Sequence, residues 1–484
     1  MKPHYASIRK VKTNSGATAI QVGKYQGKSF KLLKHIGSTK EPKKITELLS
    51  LATEYISSHS PQLSLNFSPH SEEILYKRGT RAQKSRLTTA YDYLESVYQR
   101  LGFNQLSNGL LKHFVLIRVL EPASKIKSLY LLHKYFGLEY KKTTVFRQLL
   151  QLISFKEKTI SLAIAYAKEN LGFDFSLIFY DVTTLYFETH QSDDFRLNGF
   201  SKDNKINQPQ ILVGLMVNQT GFPVYYDVFP GNTFEGHTII PIITGIKAKY
   251  HIDRLTVVAD AGMLSEDNLF ALQKNQIDYI MGARIKKLKL EQIRLIAREL
   301  NQTDSRIIRQ DDVIYEYSSK RAKKDKSDND RQLQKAKYLI SHPAKALKRT
   351  SFIASPKNKD LSLNLETIEK YHLLEGIKGY KTSVSDVSDQ LLVNRYKDLW
   401  HVEQSFRIAK SDLQARPIYH RKRDSIEYHL LIVFMALCLT KVIEKEKQTS
   451  IQKVVDVLKD IWTVTLKDDI SGNTLDLIIN TKPH

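Results

Sequence analysis

The chain has a single cysteine, Cys438, in 484 residues. No intramolecular disulfide can form, and no cysteine-based zinc finger can be built, a pattern that suits a reducing cytoplasm. Acidic residues are also under-represented: 51 Asp and Glu stand against 74 Lys and Arg, a net charge of +23. An excess of that size favours a polyanionic partner, because each neutralised phosphate releases counterions. Long apolar runs are missing too. The longest, Leu430 to Leu439, is about half a membrane span, so a buried helix and no membrane partner are expected. The opening "MKPHYASIRK" has no apolar signal core, and a cytoplasmic protein is the expectation. Tryptophan occurs only at Trp400 and Trp462.

What is present is ordinary globular material, 42% hydrophobic and 26% charged, in a length that calls for several domains. Residues 1–83 read as a small basic β-plus-helix module. "TAIQVGKYQGKSFKLLKHIG" gives two strand-like runs around Gln26-Gly27, and the helical "KKITELLSLATEYISSH" follows. Residues 84–172 carry helical periodicity, and their basic edges make a DNA-binding region the expectation there. Pro122 to Ser124 breaks two helices there, Gly137 stops the second, and Thr143 or Thr144 caps a third. From Phe173 the texture turns to strands. "FSLIFYDVTTLYFE", "QILVGLMVN" and "PVYYDVFPG" form a meander, then helix, strand, helix and strand follow up to 283. An inserted subdomain is expected at 284–375, the core resumes at 376–445, and 446–484 is a tail. The fold class is α/β.

The meander holds an oddity. Asp181 sits in the middle of a β-branched apolar strand, and a lone buried carboxylate must be paired, protonated or metal-bound. A second apolar strand, "LTVVADAGM", runs into Asp260. Two carboxylates on adjacent strands repel unless a cation lies between them, and magnesium suits the task. A third acid stands on a helix. Leu392, Tyr396, Leu399, Glu403, Phe406 and Lys410 recur by four and three, so they share one face on which Glu403 is a buried exception. Taken alone, Glu403 is as well explained by an i,i+4 ion pair with Arg407. Taken together, the three acids have the layout of an RNase H-like site, where two metal ions about 3.5–4 Å apart serve in-line phosphoryl transfer.

At this set the sequence resembles the DDE transposases of bacterial insertion sequences, in the group with a Tyr-Arg-Glu-Lys signature. "FYDVTTLYFE", "GFSKDNKINQPQILVGLMVN", "VVADAGM" and "YKDLWHVEQSFRIAKSDLQARPIYH" carry the resemblance. It implies an RNase H-like catalytic domain with an inserted subdomain and a metal triad of Asp181, Asp260 and Glu403. Two Mg2+ ions would be held there, with Mn2+ able to substitute. The DNA partners would be terminal inverted repeats and target DNA, joined by a homodimer in a synaptic complex at the nucleoid. Tyr396 and Lys410 match the outer signature positions, but the signature's Arg falls on Leu399, leaving Arg395 or Arg407 as stand-ins. Lys202, Arg416, His420, Arg421, Lys422 and Arg423 are further DNA-contact candidates, Lys202 beside Asp203 in a polar loop. Related enzymes stack a flipped base on an aromatic of the insertion, for which Tyr315, Tyr317, Tyr338 and Phe352 are candidates or else core. A nuclease without strand transfer and a silent DNA-binding descendant share the same layout. The net charge weighs against a glycosidase with paired carboxylates.

Overall fold

In the computed structural model, the described residues are 6–26, 29–58, 80–199, 207–342, 351–354, 361–468 and 473–481. The chain divides into two compact units, residues 1–82 with 466–475 and residues 83–465 with 476–484.

The first unit holds an antiparallel sheet, β1 (Ser7–Lys12), β2 (Thr18–Gln26) and β3 (Ser29–Thr39), and a helix, Pro42–Ser58. Ile20, Val22 and Ala52 form its core. The β2–β3 pair and the helix match the sequence reading. β1 was not foreseen, because "SIRKVK" is too charged to read as a strand; only its pairing with Thr18–Gly23 supports it.

β4 (Thr80–Arg86) spans the boundary at residue 82, and the second unit continues with a set of helices, among them Thr88–Arg100, Gly109–Leu120, Lys125–Leu131 and Lys156–Leu171. Ser124 caps the helix after the Pro122 break, its hydroxyl accepting from the Lys127 N–H. Gly137 ends the next stretch at φ +68, which a side chain would resist. The helix Lys142–Leu149 corrects one expectation. Its N-cap is Lys141, in extended backbone, and Thr143 and Thr144 lie inside the first turn.

The centre of this unit is an eight-stranded mixed sheet. Its members are β5 (Leu177–Tyr186), β6 (Gln210–Val217), β7 (Pro223–Pro230), β8 (Thr256–Ala259), β9 (Asp278–Gly282), β10 (Ile307–Gln310), β11 (Val313–Tyr317) and β14 (Ile377–Thr382). The order is β10-β11-β14-β9-β8-β5-β6-β7. β5, β6 and β7 form the antiparallel meander, turned at Asn218–Gly221, where Asn218 Oδ1 accepts from the Thr220 and Phe222 N–H groups. β8 and β9 join in parallel, each after a helix, Ile239–Lys249 and Glu266–Lys274.

The insertion does not stand apart from this sheet. β10 and β11 extend it through β14. The charge-dense "SKRAKKDKSDNDRQLQKAKYLIS" is one helix, Ser319–Ser341, capped by Ser318. A pair of two-residue strands, β12 (Ile353–Ala354) and β13 (Ser362–Leu363), lies beyond it. Tyr315, Tyr317 and Phe352 are buried in local cores, and Tyr338 is exposed with its ring stacked on His342.

The helix Arg423–Lys447 runs through the main core, packed on Gly109–Leu120 and β7. It is long and apolar enough to cross a membrane, yet 89% of its most apolar window is buried inside the protein. It is a core helix, as the run Leu430 to Leu439 suggested. The C-terminal stretch holds a helix, Ile451–Asp460, and two strands, β15 (Ile461–Asp468) and β16 (Thr474–Asn480).

His113, on Gly109–Leu120, lies buried between two tyrosines, with Tyr91 Oη 3.1 Å from Nε2 and the Tyr140 hydroxyl at Nδ1. Burial first, and the Lys112 charge second, push its pKa down from 6.5 to about 4. The unfolded chain therefore takes up this proton before the folded chain does. The stability it contributes is complete above 6.5 and is lost as pH falls towards 4. Between pH 7 and pH 5 that share is on the order of 2 kcal/mol. Urea melts at the two pH values should show His113→Gln with a smaller acid-induced loss than the parent; equal losses would contradict this assignment.

Candidate functional site

The strand register decides the first contact of the site. β5 and β8 run parallel with Tyr180 opposite Ala259. One residue further along are Asp181, half-buried, and Asp260, exposed just past the end of β8. The Val182 N–H donates to Asp181 Oδ1 at 2.7 Å and the Ala261 N–H to Asp260 Oδ1 at 2.5 Å. The turn after Asp260 is braced by Arg284, whose Nε donates to the Ala261 carbonyl at 3.1 Å.

The third acid arrives on a short helix. The periodic stretch from Leu392 to Lys410 is two helices, Asp389–Lys397 and Trp400–Arg407, joined at Asp398 and Leu399, with a wider turn at Ile408–Asp412. Trp400–Arg407 packs across β5 and β6. It is pinned by Ser405, whose hydroxyl donates to the Gly221 carbonyl at 3.0 Å. The shared face survives the break: Leu392, Tyr396, Leu399 and Phe406 are all buried. Glu403 corrects the reading in one respect. It is exposed, because its side chain opens on a cleft where the expected face meets solvent. No ion pair joins it to Arg407 among the described residues.

Glu403 lines two adjoining hollows. One is a cleft of about 820 Å³ that it shares with Asp260, Tyr396, Lys378 and Arg284. The other is a smaller recess that it shares with Asp181, Arg407, Lys410 and Arg416. The three acids act together on one atom group, the Tyr396 hydroxyl. Burial is the largest cause of its raised pKa, and the charges of Asp260, Glu403 and Asp181 add to it. An all-oxygen donor set of this kind fits a hard divalent cation. Among the described residues, no three His, Cys, Asp or Glu side chains close around one ion position.

The basic candidates divide. Arg407, Lys410 and Arg416 lie at the recess, and Arg416 also covers the Tyr186 ring at 5.7 Å. Arg421 and Lys422 are exposed. Arg423 is exposed but paired with Glu427 at 2.9 Å, and its guanidinium lies over Phe195. His420 is not a cationic contact at neutral pH: burial, then Lys125 and Arg118, push its pKa down to about 4. Leu399, at the signature's Arg position, is an apolar residue buried at the turn beside the cleft. Of its stand-ins, Arg407 reaches the recess; Arg395 is half-buried outside both hollows. Lys202 and Asp203 lie outside the described residues.

Among the cleft residues not picked out from sequence are Lys378, Arg284 and Trp400, the last half-exposed one turn before Glu403. Only "IKGYKT" held a signal, since strand alternation puts Lys378 and Tyr380 on one face. Tyr396 itself is nearly buried, its ring 4.9 Å from that of Tyr380.

Residues 172–439, over half of the chain, match the family described as the transposase DDE domain. The protein belongs to that family, whose members cut and transfer DNA with divalent metal ions. No curated protein matches the chain. Two solved structures are similar to parts of it. The Mos1 transposase paired-end complex with the left transposon end shares 12% identity over 50% of this chain and 68% of that one, at a TM-score of 0.16. The Mos1 mariner paired-end complex with Mn shares 11% over 48% and 72%, also at 0.16. At such scores the architecture rests on the sheet order above and not on the likeness.

Gly282 is what lets Tyr396 reach the acids. A Cβ there would stand 2.6 Å from the tyrosine hydroxyl. Gly282→Ala should therefore lose about 1–3 kcal/mol by overpacking. Adding Tyr396→Phe should restore part of it, as coupled neighbours do. Additive losses in thermal melts would show that the two groups do not meet.

Proposed function

We propose that this chain is an RNase H-like transposase that binds the two ends of a bacterial insertion sequence and catalyses strand cleavage and strand transfer. The observation that supports the reading is that Glu403 stands between two adjoining hollows, one shared with Asp260 and the other with Asp181, the two aspartates coming from neighbouring parallel strands. The three side chains would hold two Mg2+ ions, or Mn2+ in their place. Bound metal supplies Lewis-acid polarisation of a phosphoryl oxygen and an activated water or 3′-hydroxyl.

The protein's own part is positional. β5 and β8 fix the two aspartates in register, and the Ser405 anchor fixes the Glu403 helix against them. Arg407, Lys410 and Arg416 present positive charge beside Asp181 and Glu403, where a DNA backbone would lie. The exposed Arg421 and Lys422 would extend that track. Two copies would act on paired ends in a cytoplasm at the nucleoid.

Glu403→Gln is nearly isosteric and removes one ligand charge. Cleavage of cognate ends should fall to background, while DNA affinity stays almost unchanged, because phosphate contacts elsewhere carry it. Parental cleavage by this variant would remove Glu403 from the site. Cleavage without joining, in the parent, would identify a nuclease without strand transfer.

DNA affinity should also fall steeply with salt, with a log–log slope of about −0.9 for each phosphate neutralised. A salt-insensitive affinity would count against Arg407, Lys410 and Arg416 as backbone contacts.

A further inference from the structure

Lys378 lies on β14, the strand by which the chain re-enters the central sheet after the insertion. It shares a strand face with Tyr380. Its Nζ is 4.5 Å from the Tyr396 ring centroid and 5.5 Å from that of Tyr380. The side chain is half-buried and lines the cleft with Asp260 and Glu403. Its cross-strand neighbour, Glu316, is committed elsewhere: Lys397 Nζ is 2.5 Å from one carboxylate oxygen, and the Tyr380 hydroxyl donates to the other at 2.9 Å. Among the described residues Lys378 forms no ion pair.

An ammonium in this position has given up much of its water and has gained ring faces but no anion. Cation–π contacts compensate only in part. The acids that attract it across the cleft, Asp260 and Glu403, are the ones the proposed reading assigns to metal. The two rings limit where the charge can go, so it is aimed at one place in the cleft. Within the strand-transfer reading, we propose that Lys378 is a DNA-binding residue whose ammonium holds one phosphate of the strand being cut, close to the cleaved bond. The phosphate supplies the anion that the protein does not, through a charge-assisted hydrogen bond. The residue acts as a point charge, so arginine would replace it imperfectly.

The test uses the full chain and a duplex copied from one end of the element that carries the gene. Single phosphates near the cut are replaced in turn by neutral methylphosphonate. Affinity is measured without divalent ions for the parent, Lys378→Gln and Lys378→Arg. Lys378→Gln should bind roughly ten-fold or more weakly, the loss of a hydrogen bond to a charged group. One methylphosphonate position should weaken the parent by a similar factor and leave Lys378→Gln unaffected. If every position weakens both proteins equally, Lys378 touches no phosphate. Acetylation of Lys378 in the parent, followed by mass spectrometry, covers the case of a misfolded variant: bound duplex should protect it, and unchanged labelling overturns the assignment. A parent that neither cuts this duplex nor prefers it to an unrelated one defeats the strand-transfer reading itself. A parent that cuts it while Lys378 stays insensitive defeats only the lysine assignment.

Discussion

Like charge on neighbouring parallel strands is the constraint on which the site depends. Strands in a sheet lie about 4.8 Å apart. Two carboxylates at that spacing repel by about 3 kcal/mol at an effective dielectric near 20. The register of β5 with β8 puts the backbones of Asp181 and Asp260 side by side. Asp260 lies past the strand end in solvent and turns to its own backbone, and Asp181 does the same from mid-strand.

The rest of the site is arranged around that pair. The Glu403 helix crosses β5 and β6 and brings a third carboxylate between the two hollows. The insertion contributes a wall through Arg321, Asp325 and Tyr371, and β14, beside β9, brings Lys378 to the same cleft. Gly282 leaves room for Tyr396 beneath them. Acids and cations therefore share the two hollows, Asp260 and Glu403 with Lys378 and Arg284 in one, Asp181 and Glu403 with Arg407, Lys410 and Arg416 in the other.

Much of this was legible in sequence where a residue broke a strong pattern. Asp181 and Asp260 stood out because the strands around them are so apolar, and the meander was marked by Asn218 to Gly221. Glu403 was legible by period, but its exposure was not, since a face pattern says nothing of where that face meets a cleft. The helix break at Asp398 and Leu399 keeps the same phase, so periodicity passed straight through it. The cap at Lys141 was hidden by two better capping residues next to it. In the insertion, high charge masked both the helix Ser319–Ser341 and the strands that join the sheet, because pairing partners far along the chain decide those elements. Lys378 needed its three-dimensional neighbours, above all the prior commitment of Glu316, before it meant anything.

The central claim is that Asp181, Asp260 and Glu403 form one metal site. Ferrous iron, taken up in place of magnesium and given peroxide and ascorbate, cuts the polypeptide backbone close to where the ion is bound. The account predicts fragments ending near residues 181, 260 and 403 together, all suppressed by excess magnesium. Cuts at only one of these places, or a pattern indifferent to magnesium, would contradict it.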